Sequence, residues 1–161
     1  MRTSVYFLAG LLVTCFALVA AAEPYDITSC GASTITTISA SQELTVMSID
    51  TKGIARSNAA SKAFDNDTYH CTAIVTVAGD QWNGKGYCKF MDPDGDFVVG
   101  DTTTNTVNSS IDRSWKFLLG TGKWKGITGG GQYAPVTSGK PIVEGTDQAC
   151  VKATGTYEIS K

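Results

Sequence analysis

Toward the end of the chain, Ala149, Val151, Ala153, Tyr157 and Ile159 alternate with Gln148, Cys150, Lys152, Thr154, Thr156 and Glu158. A period of two assigns the first set to one face of a strand and the second, which includes Cys150, to the opposite face. Trp115, Phe117 and Leu119 alternate in the same way with Lys116 and Leu118. Runs rich in Val, Ile, Thr and aromatic residues recur at 43–51, 69–78, 84–91, 97–107, 114–119, 123–128, 131–136 and 148–159, separated by Gly, Asn, Asp and Pro clusters. That spacing predicts an all-β domain, an antiparallel sandwich or barrel. Asp92-Pro93-Asp94-Gly95 is a turn signal between two of these runs, with Pro at the second position and Gly where a positive φ is wanted.

Helical periodicity is nearly absent. Ile54 to Phe64, with Ala55, Ala59, Ala60 and Ala63, is the one helix candidate, and Ser57 and Asn58 favour a loop there equally. The Ser/Thr-rich stretch from Ala32 to Ser41 reads as a flexible lead into the first strand, so 23–41 is expected to be a lead-in segment and 42–161 the barrel domain.

Arg2 precedes an apolar run from Val5 to Ala22 that closes on Ala20-Ala21-Ala22, the pattern of a secretory signal peptide over 1–22. A lipid anchor on Cys15 fits less well, because Phe16 to Ala22 continue the apolar core beyond it. The expected location is secreted or periplasmic, with no membrane attachment after cleavage. Loss of Arg2 takes the formal charge from −2 to −3, with the signs interleaved. No basic stripe suits a nucleic acid and no basic amphipathic helix suits a membrane surface.

Without Cys15, four cysteines remain, which in an oxidising compartment predicts two disulfides. If 69–78 and 84–91 pair about Gly79-Asp80 so that partner numbers sum to 159, Cys71 faces Cys88, Tyr69 faces Phe90 and Ala73 faces Gly86. Cys150 lies on a polar face, which leaves it for Cys30 as a staple between the chain ends. A metal site is disfavoured: there is no C-x-x-C pair, and His70 adjoins Cys71 and so points to the opposite face of a strand.

Other chemical motifs fail at the residues that matter. Asp92, Asp94 and Asp96 have the alternate spacing of a calcium loop, but Pro93 intervenes and Thr103 stands where a bidentate Glu is needed. Gly120-Thr121-Gly122 lacks a βαβ context, and Ser138-Gly139-Lys140 is followed by Pro141 rather than the Ser/Thr of a phosphate loop. No G-x-S-x-G elbow accompanies His70. Glu43, Asp65, Asp67, Glu144 and Glu158 sit on separate segments, so spacing assembles no acid/base pair. Trp82, Trp115 and Trp124 are able to stack on a ligand, although barrel packing accounts for Trp115 and Trp124 without one. Asn66-Asp67-Thr68 and Asn108-Ser109-Ser110 are glycosylation sequons. No cofactor is implied.

The chain also carries a resemblance. His70-Cys71, Gly86-Tyr87-Cys88, the run DPDGD at 92–96, the run GKWKGITGGG at 122–131, and Gly145-Thr146 with Gln148-Ala149-Cys150 look like a group of secreted bacterial proteins related to the allene oxide cyclase barrel. The likeness covers about 42–159, and it implies an eight-stranded antiparallel, calycin-like barrel around an apolar cavity. Plant cyclases of this type close a fatty-acid epoxide around a glutamate and an asparagine on the first strand. In the matching segment, Gln42 to Asp50, Ser48 stands at the glutamate position and Asp50 at the asparagine position. The resemblance thus offers Ser48 and Asp50 as catalytic candidates while arguing against cyclase chemistry.

Three functions follow as expectations. The first is a barrel that binds a small apolar or amphipathic ligand in a cavity lined by Phe90, Trp115, Phe117, Trp124 and Tyr157. The second is an isomerase or cyclase with a carboxylate or histidine facing that cavity. A solidly packed structural barrel is the third. Oligomeric state is left open.

Overall fold

The computed structural model describes residues 21–41 and 43–160; the signal-peptide reading falls almost wholly on residues outside these. Eight strands run in sequence: β1 Glu23–Ala40, β2 Thr45–Ser57, β3 Thr68–Ala78, β4 Gln81–Met91, β5 Phe97–Val107, β6 Ser110–Gly120, β7 Ile127–Ser138 and β8 Thr146–Ile159. Each pairs antiparallel with the next, and β8 returns to β1, closing an eight-stranded barrel. Closure gives every strand a neighbour on both sides, which limits the exposed sheet edge that invites aggregation.

Segment 23–41 is therefore not a lead-in. It is β1, which pairs with β2 from Ile27↔Ser57 to Ala40↔Thr45 and with β8 from Glu23↔Tyr157 to Thr34↔Thr146. Its Ser and Thr content disguised a strand whose inward positions, Ser29, Gly31 and Ser33, are small for a packing reason. A Cβ on Gly31 would lie 2.3 Å from the Tyr69 hydroxyl, so the ring of β3 occupies the space that a larger β1 side chain would need. The predicted run at 123–128 also dissolves: Gly122–Trp124 is a 3-10 turn, and β7 starts only at Ile127.

The β3–β4 hairpin has the expected register, with partner numbers summing to 159 from Thr68↔Met91 to Ala78↔Gln81. Disulfides join Cys71 to Cys88 and Cys30 to Cys150. Both link residues directly opposite each other, across β3–β4 and across the β1–β8 seam that closes the barrel. The first faces inward and the second lies on the outer wall with Lys152 and Thr154, as period-two alternation requires.

Two unlike ends result from the up-and-down course. At one end, loops 58–67, 92–96 and 121–126 cover the barrel; at the other, the short turns at 79–80 and 108–109 and the loops 41–44 and 139–145 leave it open. No helix forms over Ile54 to Phe64: β2 continues to Ser57, and the chain then folds inward with positive φ at Lys62, Phe64 and Asn66. Such backbone costs on the order of 1 kcal/mol per residue, and the burial of Phe64 offsets it. Its ring is 2% exposed and stacks on Trp124 at 4.6 Å and on Phe117 at 5.6 Å. Tyr25 and Tyr157 close around it edge-on. This aromatic cluster is a solid plug. Asp92 braces it from the covering loop, accepting backbone N–H groups of Asp94 and Asp96 and the indole N–H of Trp124 at 3.1 Å.

Candidate functional site

Above the plug, the barrel is hollow. A cavity of about 440 Å³ opens toward the uncovered end, within the size range of small-molecule sites. Its floor is Trp115, whose indole N–H donates to Tyr25 Oη at 2.6 Å, with Phe90 beside it at 5.6 Å between ring centroids. Tyr69, stacked on Phe90, and the Cys71–Cys88 disulfide form one wall. Ile27, Ile35, Ile49, Val75, Ala149 and Val151 supply most of the remaining apolar surface, with Trp82, Tyr133 and Pro135 nearer the mouth. Part of the polar lining is paired within the wall: Ser33 Oγ and Thr51 Oγ1 are 2.8 Å apart, and Thr104 Oγ1 and the Tyr133 hydroxyl 2.9 Å. Burial pushes the Tyr25 hydroxyl up to about 12, outweighing the opposing Trp115 hydrogen bond, and raises Tyr69 as well, so both phenols stay neutral.

Two charged side chains line the cavity without a partner among the described residues. Arg113 of β6 and Asp147 of β8 line it, and neither forms an ion pair or side-chain hydrogen bond among the described residues. Lys85 borders the mouth but is tied to Asp101.

Of the five aromatic residues expected in the cavity, Phe90 and Trp115 line it. Phe117, Trp124 and Tyr157 do not: they point inward but at the covered end, where they belong to the plug. Ser48 and Asp50 sit on the outer wall, because their neighbours Ile49 and Thr51 face the cavity and successive residues alternate. Asp50 Oδ2 lies 2.6 Å from His70 Nε2, and Lys52 approaches its other oxygen at 3.2 Å. These contacts, the histidine first, hold its carboxyl below the usual range. Neither residue meets anything bound in the barrel. Arg113 had a legible signal, since it is two residues before Trp115 and four before Phe117 on the same face. Tyr25 was hidden in the segment read as a lead-in.

Compared with family models, curated proteins and solved structures, the chain finds no match.

Proposed function

We propose that this protein is a secreted or periplasmic binding barrel, a non-catalytic relative of the allene oxide cyclase type, that holds one small apolar or amphipathic molecule in its open half. The observation that carries this reading is the contrast between the two ends. Buried side chains, most of them aromatic, pack one end, while the other keeps a cavity of about 440 Å³ walled mostly by carbon. A barrel serving only as a structural unit gains by packing both ends, since empty apolar space forfeits dispersion contacts. Binding rather than catalysis is favoured because the cyclase-like positions, Ser48 and Asp50, lie on the outer wall, and Asp147 is the only carboxylate lining the cavity among the described residues. The two disulfides are compatible with an oxidising compartment.

Native mass spectrometry of the oxidised protein purified from its own host is the test. A co-purifying mass released on denaturation is expected. A clean apo mass that stays unchanged after incubation with small apolar and aromatic compounds would overturn the reading.

A further inference from the structure

The barrel is least tightly closed between β6 and β7. These strands pair at three positions only, Ser114↔Gln132, Trp115↔Gly131 and Lys116↔Gly130, whereas β1 and β2 stay paired from Ile27 to Ala40. Toward the open end the two strands part, and an outer cleft forms that is lined by Asp112, Gln132, Lys152 and their neighbours. Arg113 and Tyr133 border both this cleft and the internal cavity. Arg113 thus stands at a lateral threshold, half-buried, with its guanidinium donors unclaimed by any described residue.

An unpaired arginine at the edge of an apolar cavity costs desolvation unless something accepts from it. Several polar groups near it are already engaged: Tyr133 is bonded to Thr104, and Lys85 is neutralised by Asp101. Asp112, next to it in sequence, lines the outer cleft and forms no ion pair with it among the described residues. Asp147 does not fill the role, since it lies across β7 on β8, opposite Ser33, and forms no ion pair with Arg113. Among the aliphatic side chains, rings face the cavity at every level, with Trp115 on the floor, Phe90 and Tyr69 on one wall and Tyr133 nearer the mouth. Flat rings present flat surfaces, which suit an aromatic ligand in offset or edge contact.

Resting on the binding-barrel reading, the geometry points to a specific ligand class: a small aromatic acid whose ring lies over Trp115 and whose anionic group is received by Arg113 at the β6–β7 seam. A guanidinium takes a planar carboxylate through two parallel N–H donors, which supplies both affinity and orientation.

Calorimetric titration of the oxidised protein with 1-naphthoate and with its neutral isostere 1-naphthamide tests this. Naphthoate is expected to bind at least about tenfold more tightly, the factor a charge-assisted hydrogen bond supplies. Arg113→Met is expected to erase the difference by weakening naphthoate alone, and Arg113→Lys to restore part of it. Equal binding of both compounds by the unaltered protein overturns the anion site and leaves the cavity reading standing. Binding of neither compound overturns the aromatic-acid site, and the mass spectrometry of the host-purified protein then decides the cavity reading by itself.

Discussion

Trp115 and Tyr25, ninety positions apart in sequence, are joined across the barrel by an indole N–H that donates to the phenol oxygen at 2.6 Å. Both rings are buried, at 6% and 2% exposure, and the bond marks the boundary between the packed and the hollow halves. Glycine is required around it: a Cβ on Gly131 or Gly155 would come within 2.5 Å or 2.4 Å of the Tyr25 oxygen. The floor of the cavity is therefore built from β1, β6, β7 and β8 at once.

Tyr25→Phe keeps the ring and removes the acceptor. The Trp115 N–H is then buried without a partner, which costs on the order of 1–3 kcal/mol. Urea unfolding is expected to show a lower midpoint with an unchanged slope. A midpoint equal to that of the unaltered protein would mean that the bond contributes nothing to stability.

Asp67 predicts a dependence on pH. It is 1% exposed, and its Oδ1 has no hydrogen-bond partner among the described residues. Burial, then the neighbouring Asp92 carboxylate, raises its pKa from 3.8 to about 7, with Asp65 adding to the rise and Lys123 opposing it. In the unfolded chain the same group ionises near its ordinary value, so between these limits the folded state retains a proton that the unfolded state has lost. Stability from this group is complete below about pH 4 and is lost as pH rises through 7. Asp67→Asn is expected to be more stable than the unaltered protein by about 2 kcal/mol at pH 8 and little different at pH 4. Denaturation curves at the two pH values decide it, and an equal effect at both would remove proton linkage as the cause.

The closing seam predicts a disulfide effect. Cys30 and Cys150 face each other on β1 and β8 and are separated by 120 residues of chain. Replacing both by Ala is expected to cost about 2–4 kcal/mol, read as a lower thermal midpoint under non-reducing conditions.

Parity along strands was the most legible property of this chain. It placed Cys71 against Cys88, put Cys150 on the outer wall, and turned Trp115, Phe117 and Tyr157 inward. Parity says nothing about height along the barrel axis, however, and height decides whether an inward ring lines the cavity or fills the plug. Phe117 is only two residues from Trp115 yet lies beyond the Tyr25 floor. Phe64, the centre of the plug, was invisible because it comes from a loop and points inward through a positive φ. The strand count came out at eight through two compensating differences, β1 missed and 123–128 counted. The missed strand was the one whose central inward residues, Ser29, Gly31 and Ser33, are small.

If the two halves have separate tasks, damage to each must appear in a different measurement. Phe64→Ala removes the ring that Trp124, Phe117, Tyr25 and Tyr157 all contact. A cost of about 3–5 kcal/mol is expected for such a core truncation, with ligand affinity unchanged in conditions where the variant is folded. Ala149→Trp places an indole in the hollow half, where Ala149 lines the cavity and is only partly buried. Empty space receives the larger side chain there, so the midpoint of unfolding should hold while the co-purifying mass disappears. The pair is scored together by thermal unfolding and native mass spectrometry. Were Ala149→Trp to retain its ligand while folded, the molecule would be bound outside the barrel, and the contrast between a plugged and a hollow end would have no bearing on what this protein binds.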